Sequence, residues 1–351
     1  MIQKFTIARD DQLYLAWPDV ALTPGGKLVC VFAECTHHGN RDYTRIMVCD
    51  STDRGRTWGE KRPVSEPTHG LPVHWNCPRI TQLRDGRLAV LVDKLFKAEG
   101  SAAPEDCRNY LFFSRDEGAS WDGPHETPAL GIVPDKLREL HCGRWLASCH
   151  YMPESKDERI QRLWYTDDQG TSWHGPAVVG HRPGYHLCEV SILQLDDDTL
   201  VAFHRENSRD TRPCQKTISR DRGQTWSAAV DFPIPGCHRP VAGFLQDDRI
   251  MITHRYRQGG KGWVGWYTQN FFAAFTDRES ALAEVYHEAH TRILPIDYDR
   301  SPKSDLGYSG WVQFEDGEIY IVNYIVDDWP RAQIRGYALR PEDVVLPAPG
   351  E

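Results

Sequence analysis

Ser51-Thr52-Asp53-Arg54-Gly55-Arg56-Thr57-Trp58 has the form [ST]-x-D-x-G-x-[ST]-W, and the form returns at Ser114–Trp121, Thr166–Trp173 and Ser219–Trp226. Each residue type in it has a local task. Ser or Thr and Asp hydrogen-bond nearby backbone groups, Gly takes a positive φ, and Trp anchors the returning strand, so the stretch predicts a tight turn between two strands. The copies begin 63, 52 and 53 residues apart. A period that long exceeds a hairpin and marks each copy as part of a small sheet in a repeated array.

A second set of turns gives the size of the unit. Pro24–Lys27, Arg84–Arg87, His141–Arg144, Asp196–Thr199, Gln246–Arg249 and Glu315–Glu318 are each flanked by apolar runs, such as 28–32, 88–92 and 250–253. These read as six hairpins. In the first four units the Asp-containing turn follows 23 to 30 residues later, so a unit is two consecutive hairpins, or four strands. Six such units in 351 residues, about 58 residues each, predict an all-β fold: one six-bladed β-propeller domain of four-stranded antiparallel blades spanning 1–351. The fifth unit keeps only Thr276-Asp277-Arg278 of the turn and the sixth keeps none. Residues 3–8 are expected to complete the last blade, so that the N-terminal strand closes the ring.

Composition narrows the function. A net charge of −9 argues against a general nucleic-acid binder. No stretch approaches the ~18 apolar residues of a membrane span. The opening Met1–Asp11 lacks the apolar core of a signal peptide, which gives a cytoplasmic expectation. Ten cysteines without a C-x-x-C pair suggest buried free thiols rather than a disulfide framework or a zinc ribbon. No cofactor or metal motif is present, although several histidines approach one end of the ring.

The repeat also indicates which residues meet at the mouth. In an up-and-down blade the innermost strand begins, and the second strand ends, on the face opposite the hairpins. Nine positions before the turn residue stand Trp17, Cys77, Pro134, Glu189, Arg239 and Tyr308, and seven after it stand Ala33, Asp93, His150, Arg205, Arg255 and Tyr324. Arg79, His204, His238 and His254 are close neighbours of these positions. Convergent polar groups of this kind mark a binding site. Two arginines at one register of adjacent blades suit a carboxylate or sulfate, which guanidinium grips bidentately.

With its four Asp-box turns, the chain resembles the sialidase (neuraminidase) superfamily of six-bladed propellers. The most specific part is Cys188-Glu189-Val190-Ser191 with Phe203-His204-Arg205, followed by Gly307-Tyr308-Ser309-Gly310 in the last blade. The resemblance implies a retaining glycosidase acting on a terminal acidic sugar of an oligosaccharide or glycoconjugate. Tyr308 would be the nucleophile, Glu189 its base, and Arg205 and Arg255 two members of an arginine triad. The family's acid comes from a loop after the second strand of the first blade. Asp42 stands there, with His37, His38 and Asp93 as competitors. The pattern departs at Ala16-Trp17-Pro18, where the family has the first triad arginine. Arg79 or Arg239 would then supply the third charge, with His204, His254, His150 and Asp93 completing the substrate contacts, and a uronic acid stands beside sialic acid as the sugar. A uronate lyase and a glycan- or protein-binding propeller without chemistry are the alternatives.

Overall fold

The computed structural model describes residues 2–70, 73–96, 107–151, 158–208, 212–257 and 269–343. The segments 97–108 and 258–270 lie mostly outside the described residues.

Six antiparallel sheets form the blades of a propeller. The first blade is typical. Its innermost strand Tyr14–Leu22 pairs with Leu28–Cys35, then Tyr43–Ser51, then the short Arg62–Pro63. The sixth blade closes the ring as expected: Gln3–Ala8 pairs antiparallel with Gln333–Leu339 as its outermost strand. The second strands Leu28–Cys35, Leu200–Glu206 and Ile319–Ile325 are buried at every position. Neighbouring blades cover both faces there, which is why these strands read as continuous apolar runs rather than alternating ones. The outer strand Asp122–Leu130 is exposed at most positions.

The repeated octapeptide folds as its residue types require. Ser51 Oγ donates to Asp53 Oδ1 (2.8 Å) and accepts from Gly55 N (2.8 Å), while Thr57 Oγ1 donates to Asp53 Oδ2 (2.5 Å). Trp58 Nε1 returns to Gly55 O at 3.2 Å. The hydroxyl-to-aspartate bonds recur at Ser114–Asp116–Ser120, Thr166–Asp168–Ser172 and Ser219–Asp221–Thr225, and the Trp-to-Gly bond at Trp226. Gly55 has φ of 81°, and Arg54 before it also lies left-handed at 62°. In the fifth blade Asp277 caps a short helix, Arg278–Leu282, by accepting from Ser280 N, so the decayed repeat has become a helix start.

The axis is filled by charged side chains that bridge non-adjacent blades. Arg79 of the second blade donates to Pro18 O of the first (3.2 Å) and Ser309 O of the sixth (2.8 Å). Lys136 of the third blade pairs with Asp19 of the first at 3.0 Å. Arg239 of the fifth donates to Val190 O (3.3 Å) and Pro134 O (2.6 Å) of the fourth and third. Burial lowers the pKa of Arg79 to about 10, with Asp19 opposing the shift. Main-chain carbonyls of inner strands, which have no next strand to bond, are satisfied in this way.

Candidate functional site at the mouth

The innermost strands carry a shared irregularity where they reach the mouth. Their pairing with the second strand slips between Ala16 and Asp19, Cys188 and Ser191, His238 and Val241, and Gly307 and Gly310. At each slip one residue is left-handed: Trp17, Glu189, Arg239 and Tyr308, with φ of 56°, 48°, 52° and 53°. Non-glycine residues in this region cost of order 1–3 kcal/mol each and persist where the surroundings impose them. A bulge re-aims the extra side chain, and it is this that turns Trp17, Glu189 and Tyr308 into the cavity. Gly307, at φ 113°, precedes Tyr308, and a Cβ there would lie 2.9 Å from Arg255 Cβ.

Between these bulges and the loops above lies a cavity of ≈ 450 Å³. Tyr308 Oη donates to Glu189 Oε1 at 2.5 Å, and Arg205 Nη1 donates to the same oxygen at 2.6 Å. Arg205 Nη2 donates to Asn207 Oδ1 at 2.5 Å. Glu189 Oε2 is buried and has no hydrogen-bond partner among the described residues. Burial pushes the Glu189 carboxyl up, but the Arg205 and Arg255 guanidiniums outweigh it and hold it well below the usual carboxylate range. Burial, then the Glu189 charge, raises Tyr308 well above an ordinary phenol. The resting pair is therefore a neutral phenol hydrogen-bonded to an ionised carboxylate, which can accept the phenol's proton. Arg255 stands behind them, its guanidinium carbon 5.5 Å from the Tyr308 ring centre and its Nη1 on Leu306 O at 3.2 Å.

The other residues singled out from sequence fall in different places. His150 lines the cavity, and burial lowers its pKa to about 3, so it is neutral. His204 and His254 precede Arg205 and Arg255 on their strands and so point to the opposite face. His204 Nε2 bonds Thr217 Oγ1 (2.9 Å) and packs against Gly180, and His254 lies edge-on to Phe272. Burial lowers the pair to about 3 and about 4. Asp93 is buried, accepting from Asn76 Nδ2 (2.7 Å), Cys77 N and Val133 N, and joins the second blade to the third. Arg79 and Arg239 lie in the axial network and do not line the cavity. Asp42 is exposed on the loop, accepts from Asn40 Nδ2 (3.0 Å), and does not line the cavity either.

The cavity also takes in Arg41, Asn76, Arg159 and Asn207, which the blade register did not reach. Arg41 stacks over the Trp17 ring at 4.2 Å and donates to Asn76 Oδ1. The nearness of Arg41 to Asp42 was the only sequence signal for it, because both belong to the loop after the first blade's second strand.

The profile of the BNR repeat-like domain matches residues 26–321. Among solved structures, a Dyadobacter fermentans protein of unknown function is similar with a TM-score of 0.78 and 20% identity, covering 97% of this chain and 99% of that one. A variant of the NanB sialidase from Streptococcus pneumoniae gives 0.68 and 12% over 97% and 71%. The intramolecular trans-sialidase from Ruminococcus gnavus, in complex with oseltamivir carboxylate, gives 0.65 and 14% over 95% and 96%. At such identities the likeness is one of fold. No curated protein matches the chain.

Proposed function

The chain belongs to the BNR repeat-like domain family, and on that premise we propose that it is a glycoside hydrolase releasing a terminal acidic sugar with retention, Tyr308 being the nucleophile and Glu189 its base. The observation that carries this reading is the 2.5 Å bond from Tyr308 Oη to an ionised Glu189 that faces the cavity with an unpartnered oxygen. As the phenol oxygen closes on the anomeric carbon, its proton passes to Glu189. A neutral nucleophile suits an anionic sugar, which a carboxylate nucleophile would repel; tyrosine-using sialidases are a recognised exception to the two-carboxylate rule.

Cations at the mouth support an acidic substrate. Arg205 lines the cavity with Arg41 and Arg159, and Arg41 lies on Trp17, beside the position where the sialidase pattern has its first arginine. A sugar carboxylate that engages Arg205 also loosens the hold of Arg205 on Glu189, so binding strengthens the base when it is needed.

The test is a screen of wild type and Tyr308→Phe against aryl glycosides of N-acetylneuraminic acid and of glucuronic acid. Turnover of one class, falling by about 10²–10⁴-fold or more in Tyr308→Phe while calorimetry still detects the free sugar, is the expected result. An unsaturated uronide product would replace this reading with a lyase. Sugar binding without turnover in wild type would replace it with a binding module.

A further inference from the structure

Retaining hydrolysis needs a second proton transfer, to the oxygen that leaves. Among the described residues lining the cavity the one carboxylate is Glu189, already engaged with Tyr308. His38 lines the same cavity from the loop after the first blade's second strand, with 43% of its side chain exposed.

His38 is held by a built site. Its Nδ1 lies 2.5 Å from Asp305 Oδ2. Asp305 also accepts from Tyr14 Oη on that oxygen and from Tyr324 Oη on the other at 2.8 Å, with Arg255 Nη1 4.0 Å away. Burial raises the Asp305 carboxyl, yet His38, Tyr14 and Arg255 bring it below its ordinary value, so it is ionised. An ionised carboxylate only accepts, which places the shared hydrogen on His38 Nδ1 and leaves Nε2 for substrate. An aspartate fixes the tautomer and orientation of a catalytic histidine in the same way elsewhere. Trp17 packs edge-on to the ring at 5.4 Å, and Arg41 Nε donates to His38 O at 3.3 Å, bracing the loop. Tyr324 joins the two halves of the site: its hydroxyl is on Asp305 and its ring lies 6.3 Å from that of Tyr308.

We propose that His38, oriented by Asp305, is the proton donor to the leaving oxygen, an assignment that rests on reading the site as a Tyr308/Glu189 glycosidase. In the first step the Tyr308 oxygen bonds the anomeric carbon and gives its proton to Glu189. The glycosidic C–O bond breaks, and imidazolium Nε2–H passes its proton to the departing oxygen, leaving a neutral alcohol and neutral His38. In the second step water attacks the anomeric carbon and yields a proton to His38, while Tyr308 departs and recovers its own from Glu189. Both groups return to their starting states, and the sum is addition of water across the glycosidic bond. Asp305 is a positioning residue.

Leaving groups separate this role from a structural one. Wild type, His38→Ala, Asp305→Asn and Asp42→Asn are assayed on the methyl and 4-nitrophenyl glycosides of N-acetylneuraminic and glucuronic acids, with thermal unfolding as a check on folding. His38→Ala is expected to lose about 10²–10⁴-fold on the methyl glycoside and less than about 10-fold on the nitrophenyl one, whose leaving group needs no proton. Asp305→Asn is expected to show the same selectivity at smaller size. Equal losses on both glycosides, or a selective loss in Asp42→Asn instead, would overturn the assignment of His38 and leave the Tyr308/Glu189 reading standing. A wild type that turns over none of the four overturns that reading and this one together.

Discussion

Four arginines converge on the axis of the ring, each less than a tenth exposed, and they fall into two pairs. Arg79 and Arg239 end on main-chain carbonyls of two other blades each. Arg205 ends on Glu189 and Asn207 at the cavity, and Arg255, which meets one carbonyl at Leu306 O and His238 Nδ1, backs Tyr308. The first pair fastens inner strands whose carbonyls have no further strand to meet. The second pair sets the charge state of Glu189 at the cavity. Converging charge at the centre of a propeller therefore has two causes, and only the bonding of each guanidinium distinguishes them.

The division is tested most severely by stability. Arg79→Met strands two carbonyls and removes one of the two cations on buried Asp19, and Arg239→Met does the same to two carbonyls near Asp135. Each is expected to cost about 3–5 kcal/mol, read as a shift in urea midpoint at unchanged slope. Arg205→Met is expected to cost clearly less, because Glu189 can take up a proton beside an open cavity, while turnover falls by about 10²-fold or more. Equal destabilisation by Arg79→Met and Arg205→Met would dissolve the distinction between the pairs.

Gly307→Ala probes the mouth without touching a charge. The added Cβ would meet Arg255 Cβ at 2.9 Å, at a φ of 113° that side chains rarely adopt. A loss of about 1–3 kcal/mol is expected, together with a fall in turnover as Arg255 shifts behind Tyr308. A stability loss with turnover intact would show that the placement of Arg255 is not critical.

The blades, their hairpins and the closing N-terminal strand were legible because each turn has its own chemistry and recurs at one period. The register also brought Glu189, Arg205 and Tyr308 to one mouth. It could not separate Arg239 from Glu189, since both occupy the bulged position and no glycine announces the left-handed residue there. Strand alternation, which sends His204 and His254 to the face opposite Arg205 and Arg255, was legible too, but grouping neighbours by register without regard to face put them at the mouth. Arg41, Arg159 and the His38–Asp305 pair depend on the paths of loops outside the repeat, and periodicity carries no information about those.

The mouth and the turn face also differ in how pH reaches them. At the mouth, opposing charge keeps Glu189 ionised to low pH, so the acid limb of kcat/KM for wild type should lie below the range of an ordinary glutamate. In Arg205→Met, burial acts with less opposition and the limb should move upward. A limb that stays in place would mean that it belongs to another group.

On the turn face the smallest effect is expected, and it has a definite sign. Asp53, Asp116 and Asp168 are pushed down to about 2, chiefly by donation from the hydroxyls of Thr57, Ser120 and Ser172 and from their backbone N–H groups. Their folded values lie below the ordinary 3.8, so the stability they contribute is complete above about pH 4 and is lost as pH falls through about 2. Removing the three hydroxyls together, as Thr57→Val, Ser120→Ala and Ser172→Ala, brings the folded values back toward 3.8. The triple variant should be less stable than wild type at pH 5 and should lose less of its remaining stability between pH 4 and pH 2, as read from urea midpoints. Its turnover at neutral pH should match wild type, because these turns share the hairpin face and no residue of them lines the cavity. A change in turnover without a change in the acid profile would place the turns in communication with the mouth, against the separation of the two faces.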